Sequence, residues 1–279
     1  MLSARILTAL ILIPLVLAGL FLLPPLGWGI ATLAAIGIAA AEWANLQGYP
    51  KPMWLLFVGG ALLIGANLLF APWCGFARGW PDGVLFAVCG PATLFWIFVA
   101  PAWLFFNWRG GSRLATADVG WLILMGAWVA IVQLQTRSPW LVLAAMAIVW
   151  IADTAAYFVG RAFGRRKLAP SISPGKTWEG VYGALVAVAA YALVLVPLAH
   201  DAGFTAQPSA ITVIVWVTIV VALALVSVVG DLFESLLKRH AGAKDSGTLL
   251  PGHGGILDRI DALLAAMPAA AMLAALFLR

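Results

Sequence analysis

Long runs without a single charged residue constrain this chain more than any other feature. They fall at 6–41, 52–77, 83–108, 119–136, 138–152, 180–200, 202–230 and 262–278. A helix crosses the hydrocarbon core of a bilayer with about 20 mostly apolar residues. The first run is long enough for two passes, and Pro24-Pro25 with Gly27 divides it. The pattern predicts an all-α polytopic integral membrane protein of about nine transmembrane helices, near 5–23, 26–45, 53–71, 84–107, 118–135, 139–160, 180–199, 209–237 and 259–278. Composition excludes a water-soluble domain: charged residues are 10% of the 279 residues, against about a quarter in soluble proteins. Residues 1–23 resemble a signal peptide but lack a small-x-small cleavage site before Pro24, so they read as the first span.

Lys and Arg residues set the orientation, because short loops rich in them stay in the cytoplasm. With nine spans, Arg5, Lys51, Arg109, Arg113, Arg161, Arg165, Arg166, Lys167, Lys176, Lys238, Arg239, Lys244 and Arg259 share one side. Arg78, Arg137 and Arg279 lie on the other. The N-terminus is therefore expected in the cytoplasm, and the net charge of +5 reflects orientation and attraction to anionic head groups or phosphates, not nucleic acid. Cys74 falls in a predicted external loop and Cys89 within the fourth span, where two small apolar side chains explain them better than a disulfide.

The halves differ. Residues 1–138 hold nine of the 27 charged residues and read as N-terminal scaffold helices; residues 139–279 read as the catalytic half of one membrane domain. In the first half, Glu42 fits either an intramembrane functional acid or one wetted at the interface beside Lys51.

Three elements of the second half carry chemistry. In span six, Asp153, Tyr157 and Arg161 share a helical face, and the helix has to take Asp153 inside to cross fully. The following loop, about 161–179, contains Ser173, Lys176, Thr177 and Glu179. Its Gly175-Lys176-Thr177 is not a P-loop, because Pro170 stands where that motif requires Gly. The segment reads instead as a turn into a helix N-terminus capped by Ser173 or Thr177, a place suited to phosphate. Span eight ends with Asp231, Glu234, Ser235 and Lys238 on one face, and a Gly-rich loop, 238–258, follows. The last span opens on Asp258-Arg259-Ile260-Asp261. Asp231, Asp258 and Asp261 are candidate ligands for Mg²⁺, which takes a few carboxylates together with water and phosphate. Lys238, Arg239, Lys244 and Arg259 would then meet phosphates, with His253 as acid, phosphate donor or bystander.

From Ser235 to Asp261 the chain carries Ser235, Lys238-Arg239, Lys244-Asp245, Gly247, Pro251, His253-Gly254-Gly255, Asp258-Arg259 and Asp261, with apolar residues at 237, 250, 256 and 260. This run resembles the signature of the phosphatidate cytidylyltransferases, the CDP-diacylglycerol synthases. The segments Asp153 to Gly164 and Ser173 to Gly180 are also similar to that family. The resemblance implies CTP and phosphatidic acid as substrates, Mg²⁺ with room for a second metal ion, and the cytoplasmic membrane of a bacterium with the active site facing the cytoplasm. A homodimer would suit such a family. A CTP-dependent polyprenol kinase is the nearest rival expectation, and a secondary transporter a more distant one.

Overall fold

The computed structural model describes residues 2–72, 75–76, 79–201 and 209–277. Cys74, Arg78 and Arg279 lie outside the described residues. Proline and serine punctuate the long apolar runs. Pro24 and Pro25 end α1 (Leu2–Leu22) and open α2 (Pro25–Leu46), where a missing N–H costs nothing in the first turn. Pro50 precedes α3 (Lys51–Phe70) and Pro81 precedes α4 (Asp82–Leu94). A π turn at Phe95–Val99, set between Pro91 and Pro101, joins α4 to α5 (Ala100–Phe106) as one span. Ser112 caps α6 (Arg113–Arg137) by accepting the Ala115 N–H at 3.2 Å. Ser138 both closes α6 and caps α7 (Pro139–Phe163), accepting the Trp140 N–H at 3.2 Å. The chain ends with α8 (Trp178–Asp201), α9 (Ala210–His240) and α10 (Leu257–Phe277).

Among the described residues, eight helical passes are long and apolar enough to cross a membrane. The apolar stretch of α1, Leu10–Leu22, is a shorter ninth. The expected boundaries therefore hold to within a few residues. Large apolar side chains such as Leu56, Leu63, Phe98, Trp140, Val186, Val194 and Ile214 point outward, as a lipid-facing surface requires and a water-facing one does not.

Contacts at the helix ends agree with the alternation read from charge. Arg137 pairs with Asp82 at 3.6 Å at one end of the bundle. At the other, basic end, His240 meets Asn107 at 2.9 Å and the Thr8 hydroxyl donates to the Pro251 carbonyl at 3.1 Å. α10 lies in the centre against α4, α6 and α9, and its Ala262, Ala265, Ala266 and Ala271 are buried. Phe233 of α9 is enclosed edge-on by Phe95, Trp96 and Trp103, with ring centroids 5.4–5.5 Å apart. That aromatic cluster fixes the turn of α9 on which Asp231 and Glu234 sit.

The 161–179 loop is more ordered than a turn. β1 (Lys167–Ala169) and β2 (Ser173–Thr177) form an antiparallel hairpin with Lys167 opposite Thr177. Ser173 lies in β2 and caps nothing. Thr177 is the cap, its Oγ1 accepting the Gly180 N–H at 3.2 Å.

Candidate active site

The basic end of the bundle gathers the polar residues of the second half. α9 is 31 residues long, about 46 Å at 1.5 Å per residue, against a hydrocarbon core of about 30 Å. Its last turns must therefore leave the apolar layer, and Asp231 lies near that boundary. Gly230 lets α9 approach α10 there: a Cβ at this position would stand 2.7 Å from both the Asp261 carbonyl oxygen and the Ala265 Cβ. The close crossing brings Asp231, Glu234 and Asp261 within electrostatic reach of one another.

Asp231 receives two partners from different elements. Lys176 of the hairpin reaches Asp231 Oδ2 at 2.5 Å, and the Ser235 hydroxyl donates to Oδ1 at 3.4 Å. Asp153, exposed on the flank of α7, lies within electrostatic reach of Asp231 and Lys176. One turn outward, the Arg161 guanidinium donates to the Tyr157 hydroxyl at 3.3 Å. Asp153, Lys176, Asp231 and Asp261 thus form one group spanning α7, the hairpin, α9 and α10.

Asp258 belongs to a second, buried group. Its Oδ2 accepts the Ser246 N–H at 2.8 Å, the Ser246 hydroxyl at 2.9 Å and the Gly255 N–H at 2.8 Å. Its Oδ1 takes the Lys238 ammonium at 2.6 Å, and the same ammonium pairs with Glu234. Both Asp258 oxygens are engaged by the protein, and Asp258 sits in a different group from Asp231 and Asp261. Among the described residues no three His, Cys, Asp or Glu side chains make a ready metal cluster. Lys238 likewise points inward between two acids, not outward to a phosphate.

Two further residues are also held by bonds within the protein. Glu179 accepts the N–H groups of Arg165 and Arg166 at 3.0 and 3.1 Å and pairs with the Arg166 side chain at 3.1 Å. It shapes the hairpin entry, and its carboxylate raises the Arg166 guanidinium pKa above the ordinary value. Arg239 donates to the Ile172 carbonyl at 3.2 Å and the Ala243 carbonyl at 3.3 Å, fastening the hairpin to the loop after α9. Lys244, Asp245 and Arg259 remain exposed around this loop. His253 is half-buried with an Nδ1 that has no hydrogen-bond partner.

Sequence reasoning gave no role to Ser246 or Glu234. Ser246 is the unspecified residue between Asp245 and Gly247, so no spacing marks it. Glu234 stands four residues before Lys238 on the polar face of α9, and that pairing was the available signal. The Glu234 Oε1 is buried without a hydrogen-bond partner. Such an atom in an acid-rich pocket fits a cation, because an unpaired buried carboxylate oxygen is costly.

Comparison with known proteins identifies the family. Residues 3–277 match the model of the Cytidylyltransferase family. The phosphatidate cytidylyltransferase of Pseudomonas aeruginosa is 38% identical, over 98% of this chain and 97% of its own. That of Haemophilus influenzae is 34% identical over 96% of both chains, and that of Brucella suis 35% identical over 87% of this chain and 83% of its own. With a match over nearly its whole length, the protein belongs to the cytidylyltransferase family.

Proposed function

We infer that this membrane enzyme transfers the cytidylyl group of CTP to phosphatidic acid, giving CDP-diacylglycerol and pyrophosphate for phospholipid biosynthesis. The carrying observation is the similarity over nearly the full length to phosphatidate cytidylyltransferases, in a chain that pairs Lys176 with Asp231 and Lys238 with Asp258 at its basic end. A phosphate oxygen of the lipid attacks the α-phosphorus of CTP. The bond from that phosphorus to the bridging oxygen breaks, and pyrophosphate leaves. The nucleophile is already an anion, so no Ser-His or Cys-His pair is needed. The protein has to neutralise charge and hold the two phosphates in line.

Mg²⁺ would fit the acids here only with Asp231 released from Lys176 and Ser235, which engage both of its oxygens. Asp231 and Asp261 would hold it with the unpartnered Glu234 Oε1 beside them, and the remaining positions would fall to water and substrate phosphate. A divalent cation there supplies charge neutralisation and polarises a phosphoryl oxygen. Lys244 and Arg259, exposed at the loop, are assigned to CTP phosphates and the departing pyrophosphate, with His253 Nδ1 as a further contact. Tyr157 and Arg161 are assigned to the lipid phosphate, and Asp153 to the substrate by way of a cation. Beside Asp153, a shallow apolar groove of about 340 Å³ is lined by Ala147, Trp150, Ile151, Thr154 and Ala155 on the flank of α7. A lipid arriving sideways would pass there.

The basic end faces the cytoplasm of a bacterium in this reading, since that side bears most of the Lys and Arg and supplies CTP. Purified protein given α-labelled CTP and phosphatidic acid should move label into lipid with Mg²⁺ and lose that activity in chelator. Transfer of label only from γ-labelled CTP would replace the reading with a lipid kinase.

A further inference from the structure

α10 begins at Leu257, and its first N–H groups have no carbonyl of their own helix to bond. Glu42, one turn from the end of α2, fills that need from the other half of the chain. Its Oε1 accepts the Ile256 N–H at 3.0 Å and its Oε2 the Leu257 N–H at 2.7 Å. The Ser246 hydroxyl lies 3.1 Å from Glu42 Oε2 and 2.9 Å from Asp258 Oδ2. Its single proton therefore sits between two carboxylates. Lys238 then ties Asp258 to Glu234. A continuous buried chain of bonds runs from α2 through the loop and α10 to α9.

The loop is shaped around this carboxylate. A Cβ on Gly247 would stand 2.6 Å from Glu42 Oε1, and one on Gly255 would run into Glu42 Oε2. Two small positions of the 235–261 signature are thus the walls of a socket for a residue outside it. The positive end of a 21-residue helix favours a buried anion, and here the protein supplies its own. Substrate phosphate must therefore bind elsewhere on the loop.

We propose that Glu42 is a positioning residue of the transfer reaction, holding the 244–256 loop and the start of α10 so that Lys244, His253 and Arg259 meet the nucleotide. The proposal rests on the cytidylyl-transfer reading. Glu42→Gln keeps the shape but turns an N–H donor toward backbone donors. Its kcat should fall roughly thirty-fold per folded molecule, the effect of one charge-assisted bond, with KM for CTP changed far less. Hydrogen exchange of amides in 246–257 should quicken. Glu42→Asp, which keeps the charge on a shorter arm, should recover part of both losses. It serves as the reporter if Glu42→Gln does not accumulate. Unchanged exchange in the variants, or faster exchange with kcat within two-fold of the parent, would overturn the proposal. A parent that exchanges as expected but makes no CDP-diacylglycerol would instead sink the transfer reading and leave only a loop-holding Glu42.

Discussion

Two loops at the basic end are each held by carboxylates accepting backbone N–H groups, but they are held from different distances. The 161–179 hairpin is fastened by Glu179, which bonds Arg165 and Arg166 only 14 and 13 positions away. The 244–256 loop is fastened by Asp258 from α10 and by Glu42, which is 204 positions from Ser246. The first loop is pinned near the surface by a neighbour, and water can replace a lost bond there. The second is pinned in a buried network, where a lost acceptor strands several donors at once. The same device therefore carries different weight, and substitution can measure the difference.

Asp258→Asn attacks the second loop at its most bonded atom pair. The change takes one of the two acids from the Lys238 ammonium and gives Ser246 and Gly255 a poorer acceptor. Leaving Lys238 short of one acid and the loop short of its acceptor should displace the loop, and turnover per folded molecule should fall on the order of 1,000-fold, a barrier increase of about 4 kcal/mol. The long apolar helices should still carry the protein into the membrane. Activity assays on detergent-purified variant, normalised to folded protein, check it. Near-normal rates would mean that the buried network does not support the chemistry.

Lys176→Met tests the Lys176–Asp231 ion pair, which joins the hairpin to α9. Lys176 and Asp231 are both partly solvated, so the structural loss is modest. The functional loss should be larger, roughly ten- to thirty-fold in kcat/KM, if Asp231 needs that ammonium to be aimed at its ligand. An altered Mg²⁺ concentration for half-maximal activity would assign the loss to Asp231. An unaltered one would assign it to the hairpin alone.

How much of this was legible before the fold was known follows from the same contrast. The passes were legible because crossing a bilayer leaves a run of apolar residues, and Pro24-Pro25 marks a break in any context. Asp231, Asp258 and Asp261 stand out in the sequence because acids beside a membrane need a reason. Their partners do not. That Asp258 would spend both oxygens on Ser246, Gly255 and Lys238 depends on how the loop folds back, which no spacing encodes. Glu42 was the extreme case: its partners are two backbone N–H groups and a serine in a different half of the chain. The hairpin was missed because Ser173-Pro174-Gly175-Lys176-Thr177 has the composition of a turn, and its strand pairing spans only a few residues.

Glu179→Gln should show the local loop's tolerance. One oxygen remains to accept the Arg165 and Arg166 N–H groups, and the hairpin keeps its own ladder and the Trp178 N–H to Arg166 carbonyl bond at 3.0 Å. Initial rates should fall about three-fold, as expected for bonds that water can substitute. A loss as large as that of Asp258→Asn would mean that the two pins are equivalent, or that Glu179 touches substrate.

Lys51→Ala should have the smallest effect and bounds the comparison from outside. Lys51 and Glu42 both belong to the first half and both lie at the basic end, but Lys51 is exposed at the start of α3, whereas Glu42 is buried and bonded. If the first half acts on the site only through packing and through Glu42, removing an exposed charge should leave kcat and KM within two-fold at physiological salt, where surface charges are screened beyond about 8 Å. Steady-state rates on phosphatidic acid in mixed micelles, at low and physiological salt, separate the cases. A loss confined to low salt would mark Lys51 as one of many charges attracting anionic substrate. A loss at both would put a first-half cation in contact with substrate and extend the site beyond the residues that Glu42 holds.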